Sequence, residues 1–367
     1  MKKILFLIHD LGHGGAEKVL VNLVNNMDRE KFDITVMTLF GGGVNEQFLK
    51  PHIRYRAVFS GTFRGNSYLM KLFSPRQLHR LFIKERYDIE VSYLEGPSAR
   101  IISGCPDERT KLVSWIHCTM HSSAQVSRSF RNHEEAVACY NRMDTIACVA
   151  STVRNAFLTH CPYTGKTVVL YNTNESEKIQ GKAAEVAVLP GEGLLWCGVG
   201  KITAGKGFDR MIRIQAKLKA DGYPTHLHIL GEGPQRTELE RLVEEQGVSD
   251  TVTFLGYQTN PYKYVAKCDL FVCASFSEGF STAATEALIV GTPVCTVEVS
   301  GMKEMLGENN EWGIVTENDE EALYRGMKQL LEDPALLAHY QEKAAQRGKM
   351  FSTENTVRAV EELLLNL

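Results

Sequence analysis

Ser277-Glu278-Gly279-Phe280-Ser281-Thr282-Ala283-Ala284-Thr285-Glu286-Ala287-Leu288 lies between two apolar runs, Cys268-Asp269-Leu270-Phe271-Val272-Cys273-Ala274-Ser275 before it and Gly291-Thr292-Pro293-Val294 after it. A strand, a Gly-Phe-Ser turn, a helical stretch and a second strand make one unit of a parallel sheet. With a helix starting near Phe280, Glu286 projects about 80° round from Glu278, which sits on the turn and aims differently. The N–H groups of Gly279, Phe280 and Ser281 then stand at a helix N-terminus, where they suit an anion or a polar ligand. Taken alone, the stretch equally describes an ordinary strand-turn-helix with surface glutamates.

The same alternation runs outward in both directions. Strands are expected at 3–8, 33–39, 88–93, 111–116, 145–149 and 167–171, with helices at 15–27, 75–86, 123–141 and 151–160. Residues 172 to 193, rich in Asn, Glu, Lys, Gly and Ala, break the pattern and read as a linker. A second series follows, with strands at 194–199, 225–230, 251–255, 269–274 and 293–297 and helices between and after them. Two α/β domains of Rossmann-like, doubly wound type are therefore expected, 1–172 and 194–350, facing across a cleft, with a 173–193 linker and a last helix over 351–367. Ligands of such sheets bind at the carboxyl ends of the strands.

A chain of 367 residues is too long for one core, and a net charge of −3 gives no sign of nucleic acid. The nine cysteines form no C-x-x-C pair and no ligand spacing, which predicts reduced thiols in a cytoplasmic protein and no metal site. The apolar run 4–8 stops at His9-Asp10, too early for a signal peptide, and no stretch has the apolar length of a membrane span.

Glycine loops follow several strands. Gly12-His13-Gly14-Gly15-Ala16-Glu17 lets backbone N–H groups approach a ligand, but it is not a dinucleotide G-x-G-x-x-G. No acid closes the second strand to hold a ribose (Leu39-Phe40-Gly41 stands there), so a nicotinamide enzyme is disfavoured. Gly200-Lys201-Ile202-Thr203-Ala204-Gly205-Lys206-Gly207 adds two lysines able to hold a diphosphate as point charges. It lacks the spacing of a Walker A loop. Gly231-Glu232-Gly233-Pro234 and Gly256-Tyr257 are placed to line a nucleoside.

Taken in order, these motifs together with Tyr171-Asn172 resemble those of the bacterial retaining glycosyltransferases of family 4 (group 1 glycosyl transferases), which have the GT-B fold. The resemblance covers nearly the whole chain. It implies that Gly14 and Gly15 meet the donor, that Gly200, Lys201 and Lys206 hold its diphosphate, and that Gly231, Glu232, Gly256 and Tyr257 flank the nucleoside. It further implies that Glu278 and the amides of Gly279, Phe280 and Ser281 contact sugar and phosphate, and that Glu286 bonds the ribose hydroxyls. His117 in Trp115-Ile116-His117-Cys118 matches a histidine beside the donor sugar, with His121 as its competitor, and the resemblance thus implies His117, Glu278 and Lys206 as the catalytic set. Relatives usually carry arginine where Lys201 stands; lysine keeps the charge and loses the bidentate fork. The last helix is expected to return to the N-terminal domain.

The activity implied is transfer of a hexose or N-acetylhexosamine from a nucleotide-sugar, most often a UDP-sugar, with retention. No Asp-x-Asp occurs, in keeping with a reaction that needs no metal or other cofactor. Between Lys50 and Arg86, nine basic residues stand against one acid, Glu85, with aromatics interleaved. Arg64, Lys71, Phe73 and Arg76 in this segment suggest peripheral docking on an anionic inner-leaflet membrane, where a polyprenyl-diphosphate-linked glycan of bacterial surface polysaccharide synthesis would be the acceptor. The competing readings are a nucleotide-sugar 2-epimerase and a non-catalytic glycosyltransferase-like partner subunit.

Overall fold

Continuous apolar runs, rather than alternating ones, build the strands, as expected of parallel sheets covered by helices on both faces. In Lys2–Ile8 (β1), Ile4, Leu5, Phe6, Leu7 and Ile8 are all fully buried. A computed structural model describes residues 1–12, 14–61 and 70–367. They group into two units, Met1–Asn174 with Thr353–Leu367, and Glu175–Ser352.

The first unit holds β1, Phe32–Phe40 (β2), Arg54–Phe59 (β3), Ile89–Ser92 (β4), Lys111–Ile116 (β5), Thr145–Cys148 (β6) and Lys166–Val169 (β7). Its sheet runs β3-β2-β1-β4-β5-β6-β7, and every pairing is parallel. Helix Thr353–Leu365 closes this unit: Lys2 Nζ donates to the Leu364 carbonyl at 3.0 Å, and the Asp28 N–H donates to Glu361 at 2.6 Å.

The second unit holds Leu194–Val199 (β8), Thr225–Leu230 (β9), Val252–Gly256 (β10), Leu270–Cys273 (β11), Val294–Val297 (β12) and Ile314–Thr316 (β13). Its order is β10-β9-β8-β11-β12-β13, again parallel throughout. Trp196 anchors its core. The indole N–H donates to Gln215 at 2.8 Å, and Gln215 in turn donates to the Thr225 carbonyl at 3.0 Å, so no polar atom of the pair goes to waste in a dry interior. Both sheets are doubly wound. Strand order reverses between β1 and β4 and between β8 and β11, the switch points at which such folds bind ligands.

Several elements differ from expectation. β3 and β13 are strands where none was expected, and helices Pro97–Ile102 and Met302–Leu306 likewise. β3 alternates basic and apolar residues because it is an edge strand; Arg54 pairs with Asp33 and with Glu85, and Arg56 also pairs with Glu85. The 123–141 helix is two helices, Ser123–Ser127 and His133–Tyr140, the second starting anew where Asn132 caps it. The 173–193 stretch contains helix Ser176–Ala183, which belongs to the second unit. On helix Pro75–Phe82, Leu81 is 52% exposed, while Leu78 is buried.

Candidate functional site

In the second unit, the loops leaving β8, β9, β10 and β11 come together through their backbones. The Gly200 N–H donates to the Leu230 carbonyl at 3.0 Å, the Ile202 N–H to Glu232 at 2.9 Å, and the Gly231 N–H to Gly256 at 2.8 Å. Gly231 has φ +143°, and a Cβ there would lie 1.9 Å from the Gly200 oxygen. Gly207, at φ +67°, is pressed against the Ala274 carbonyl in the same way. These two glycines therefore allow backbone to meet backbone at the switch point.

Into this frame three side chains converge. Lys206 Nζ lies 2.6 Å from Glu278 Oε1, and Ser275 Oγ donates to the same oxygen at 2.7 Å. The Phe276 N–H, bonded to the Gly205 carbonyl at 2.9 Å, ties the lysine loop to the segment after β11 that carries Ser275. Glu278 keeps only 11% of its side chain exposed, and the lysine and the serine hold this mostly buried carboxylate in one place. Lys201, on the same loop as Lys206, is exposed.

Helix Thr282–Ile289 begins two residues later than the sequence suggested. Ser281 is its N-cap, accepting from the Ala284 N–H at 3.3 Å, and its hydroxyl is thereby occupied. Phe280 is buried against Phe351 with ring centroids 5.8 Å apart, so its side chain belongs to the core. Glu286, 8% exposed, accepts from the Tyr262 hydroxyl at 3.2 Å. Glu232 pairs with Arg236 at 3.3 Å, whose guanidinium lies over Phe254, and Tyr257 is 70% exposed. Ser275 stands in the quoted motif three residues before Glu278 but carried no role of its own, and nothing within a local window marks Tyr262.

In the first unit, Gly14 has an ordinary φ of −75°; a Cβ there would displace the Glu17 carboxylate. Burial raises the Glu17 pKa. A Cβ on Gly15 would meet nothing within 4 Å, so local sterics do not require glycine there. His117 follows β5. Burial lowers its pKa to about 3, although its ring bonds the Tyr93 backbone, so the imidazole is neutral. Its Nε2 is buried with no hydrogen-bond partner among the described residues. The Glu95 carboxylate accepts the His117 N–H at 3.0 Å; in the sequence its only local signal is an acid between a strand and Gly96-Pro97.

Arg64 lies outside the described residues. Lys71 Nζ donates to the Arg128 carbonyl at 2.9 Å. Phe73 and Arg76 are exposed, and the buried Arg100 holds the Met70 and Phe73 carbonyls while pairing with Glu135. Among the described residues one group offers metal-ligand atoms, His79, Glu90 and Cys105, buried and within 4.8 Å of one another. Spacing along the chain did not reveal it. His79 Nε2 and Glu90 already bond each other at 2.8 Å, which makes it a paired core cluster away from the strand ends. No described helix is long and apolar enough to cross a membrane.

The chain matches the family description Glycosyltransferase Family 4 over residues 13–174 and Glycosyl transferases group 1 over 182–347. It is 30% identical over 377 residues to the N-acetylgalactosamine-N,N'-diacetylbacillosaminyl-diphospho-undecaprenol 4-alpha-N-acetylgalactosaminyltransferase of Campylobacter jejuni, covering 100% of both chains. It is 24% identical over 334 residues to the lipopolysaccharide core biosynthesis glycosyltransferase LpsD of Rhizobium meliloti, covering 90% of this chain and 88% of that one. Among solved structures, HepE of Anabaena in complex with UDP superposes with a TM-score of 0.78 at 19% identity over 100% of both chains. Sucrose-phosphate synthase of Thermosynechococcus elongatus gives 0.79 at 18% identity, over 100% of this chain and 99% of that one. These structural likenesses are likenesses of fold, the two-domain GT-B fold.

Proposed function

Because the chain belongs to the family 4, group 1 glycosyltransferases, we propose that it moves a hexose or N-acetylhexosamine from a UDP-sugar to a polyprenyl-diphosphate-linked glycan in bacterial surface polysaccharide synthesis. The observation that carries this reading is the Lys206–Glu278–Ser275 cluster at the β8/β11 switch point. The UDP held by HepE and the diphospho-undecaprenol acceptor of the Campylobacter relative support the choice of donor and acceptor.

In the proposed reaction the bond between the anomeric carbon and the diphosphate oxygen breaks as the acceptor oxygen forms a new one on the same face. The acceptor proton passes to the departing phosphate. Lys201 and Lys206 meet the charge that develops on the leaving group, which a fixed cation stabilises without reorganising. The N-terminus of the helix that begins at Thr282 adds to this. Glu286, steadied by Tyr262, holds the ribose hydroxyls. Donor amides from the Gly14–Gly15 turn and the neutral His117 address the sugar. Lysines in the place of a divalent ion make the reaction metal-independent, so activity should survive EDTA.

Purified protein is to be incubated with a panel of UDP-, GDP- and dTDP-sugars and lipid-linked acceptor, following nucleoside diphosphate release and anomeric configuration. Release with transfer is expected for a UDP-sugar. Sugar interconversion without release would point to the epimerase, and no turnover or binding with any donor to a partner subunit.

Docking on the membrane is part of the proposal. Leu72, Phe73 and Leu81 are 73%, 39% and 52% exposed, beside the exposed Arg76, Arg80 and Lys84. Exposed apolar side chains in a segment that also exposes cations suit an anionic lipid surface. Reversing charge at Lys71 and Arg76 should release the protein from anionic liposomes in co-sedimentation; unchanged binding would defeat this part.

A further inference from the structure

Glu95 stands where the chain leaves β4, on a turn fixed from several sides. The Leu94 carbonyl accepts from Ser92 Oγ and from Ser98 Oγ, each at 2.7 Å. Gly96 holds φ +91°, and a Cβ there would come within 2.8 Å of Ser129 Oγ. The Gly96 N–H reaches the Tyr140 hydroxyl at 3.4 Å. A carboxylate on so constrained a turn has little freedom of its own.

Each of its oxygens takes one donor from successive residues at the end of the adjacent strand. Oε2 accepts the His117 N–H at 3.0 Å, and Oε1 accepts the Cys118 thiol at 2.8 Å. The His117 ring leans on Tyr93 with centroids 4.9 Å apart and bonds the Tyr93 backbone. With one ring nitrogen so occupied by its proton, the buried Nε2 is left as a hydrogen-bond acceptor. What fits an imidazole acceptor with no partner among the described residues is a hydroxyl.

We propose that Glu95 is the positioning residue of this site: by holding both residues at the end of β5, it keeps His117 Nε2 in register to accept a hydroxyl of the donor sugar. This rests on the transferase reading above. Glu95 does not touch the sugar; it acts through His117. Cys118 is a bystander that reports on it, since desolvation of its sulfur where it bonds Glu95, and the carboxylate's charge, raise the thiol's pKa although the residue as a whole is exposed.

The test compares Glu95→Gln and Glu95→Ala in the full chain. Cys118 is exposed and the other eight cysteines are buried, so iodoacetamide labelling of the native protein reads this thiol. Both variants remove the carboxylate charge and should alkylate Cys118 faster, on the order of 10-fold. Glutamine can still accept the His117 N–H and should retain kcat/KM for the donor within about 3-fold, whereas alanine should lose about 10-fold or more through misplacement of His117. An alanine variant with wild-type kcat/KM overturns the proposal. So does a glutamine variant as impaired as alanine, because the charge rather than the position would then matter. If the wild type turns over no donor, the transferase reading fails, and the alkylation rates decide the Glu95 contact by themselves: unchanged rates reject it.

Discussion

Glu278 and Glu286 stand eight positions apart, yet the fold gives them different surroundings. Glu278 is locked to Lys206 and Ser275 at the strand ends, and Glu286 is bonded to Tyr262 inside the helix packing. Glu286→Ala is therefore expected to weaken UDP binding about 10-fold or more, the scale of losing one charge-assisted hydrogen bond, with kcat less affected. Glu278→Ala should chiefly lower kcat, because it also frees Lys206 from its fixed place. Calorimetric UDP titration beside steady-state kinetics separates the two, and equal, mild effects would contradict the assignment. Residue types were legible here from the sequence. Partners were not: Lys206 reaches Glu278 across 72 positions, and Tyr262 reaches Glu286 from a short helix that no local signal linked to it.

At the scale of elements, the glycine loops differ in why they carry glycine. Gly231 has a positive φ and a neighbouring carbonyl 1.9 Å from where a Cβ would sit; for Gly205 nothing lies within 4 Å. Gly231→Ala is expected to cost roughly 1–3 kcal/mol from backbone strain alone and to weaken donor binding by pushing on the Gly200 loop. Gly205→Ala should change stability by less than about 0.5 kcal/mol, as for a surface position free of special constraints. Urea denaturation of both variants checks the pair, and similar losses would refute it. Strand-to-helix turns of this kind were legible because glycine and apolar runs act on their own neighbours. The edge strand β3 was hidden by its alternating arginines, whose neutralising partners Asp33 and Glu85 are distant in sequence. The break between Ser123–Ser127 and His133–Tyr140 was hidden by a helical composition on both sides of it.

Across the whole molecule, the buried histidines set a pH optimum for stability. Burial alone would lower the His79 pKa, but contacts to Cys105 and Glu90 outweigh it and raise it to about 9. Burial lowers His117 to about 3 and, with help from His226, lowers His228 to about 4. Against an unfolded value of about 6.5, His79 contributes stability below that pH and loses it as pH climbs toward 9. His117 and His228 act in the opposite sense: the unfolded chain binds the proton first, so stability falls as pH drops below about 6.5. The histidines thus place the maximum near pH 6.5. Thermal unfolding midpoints from pH 5 to 9.5 should show both limbs, and His79→Gln should flatten the alkaline one; a midpoint still rising through pH 9 would reject this. By itself the sequence determined the alternation of strands and helices, two α/β domains, and glycine loops at strand ends, because periodicity and turn chemistry act within a few residues. Only the tertiary structure decided that Lys206 meets Glu278, that Tyr262 steadies Glu286 and that Glu95 holds the end of β5. Those contacts depend on strand order and on helices packed over the sheet, and hydrogen bonding between distant segments leaves no trace in any local window.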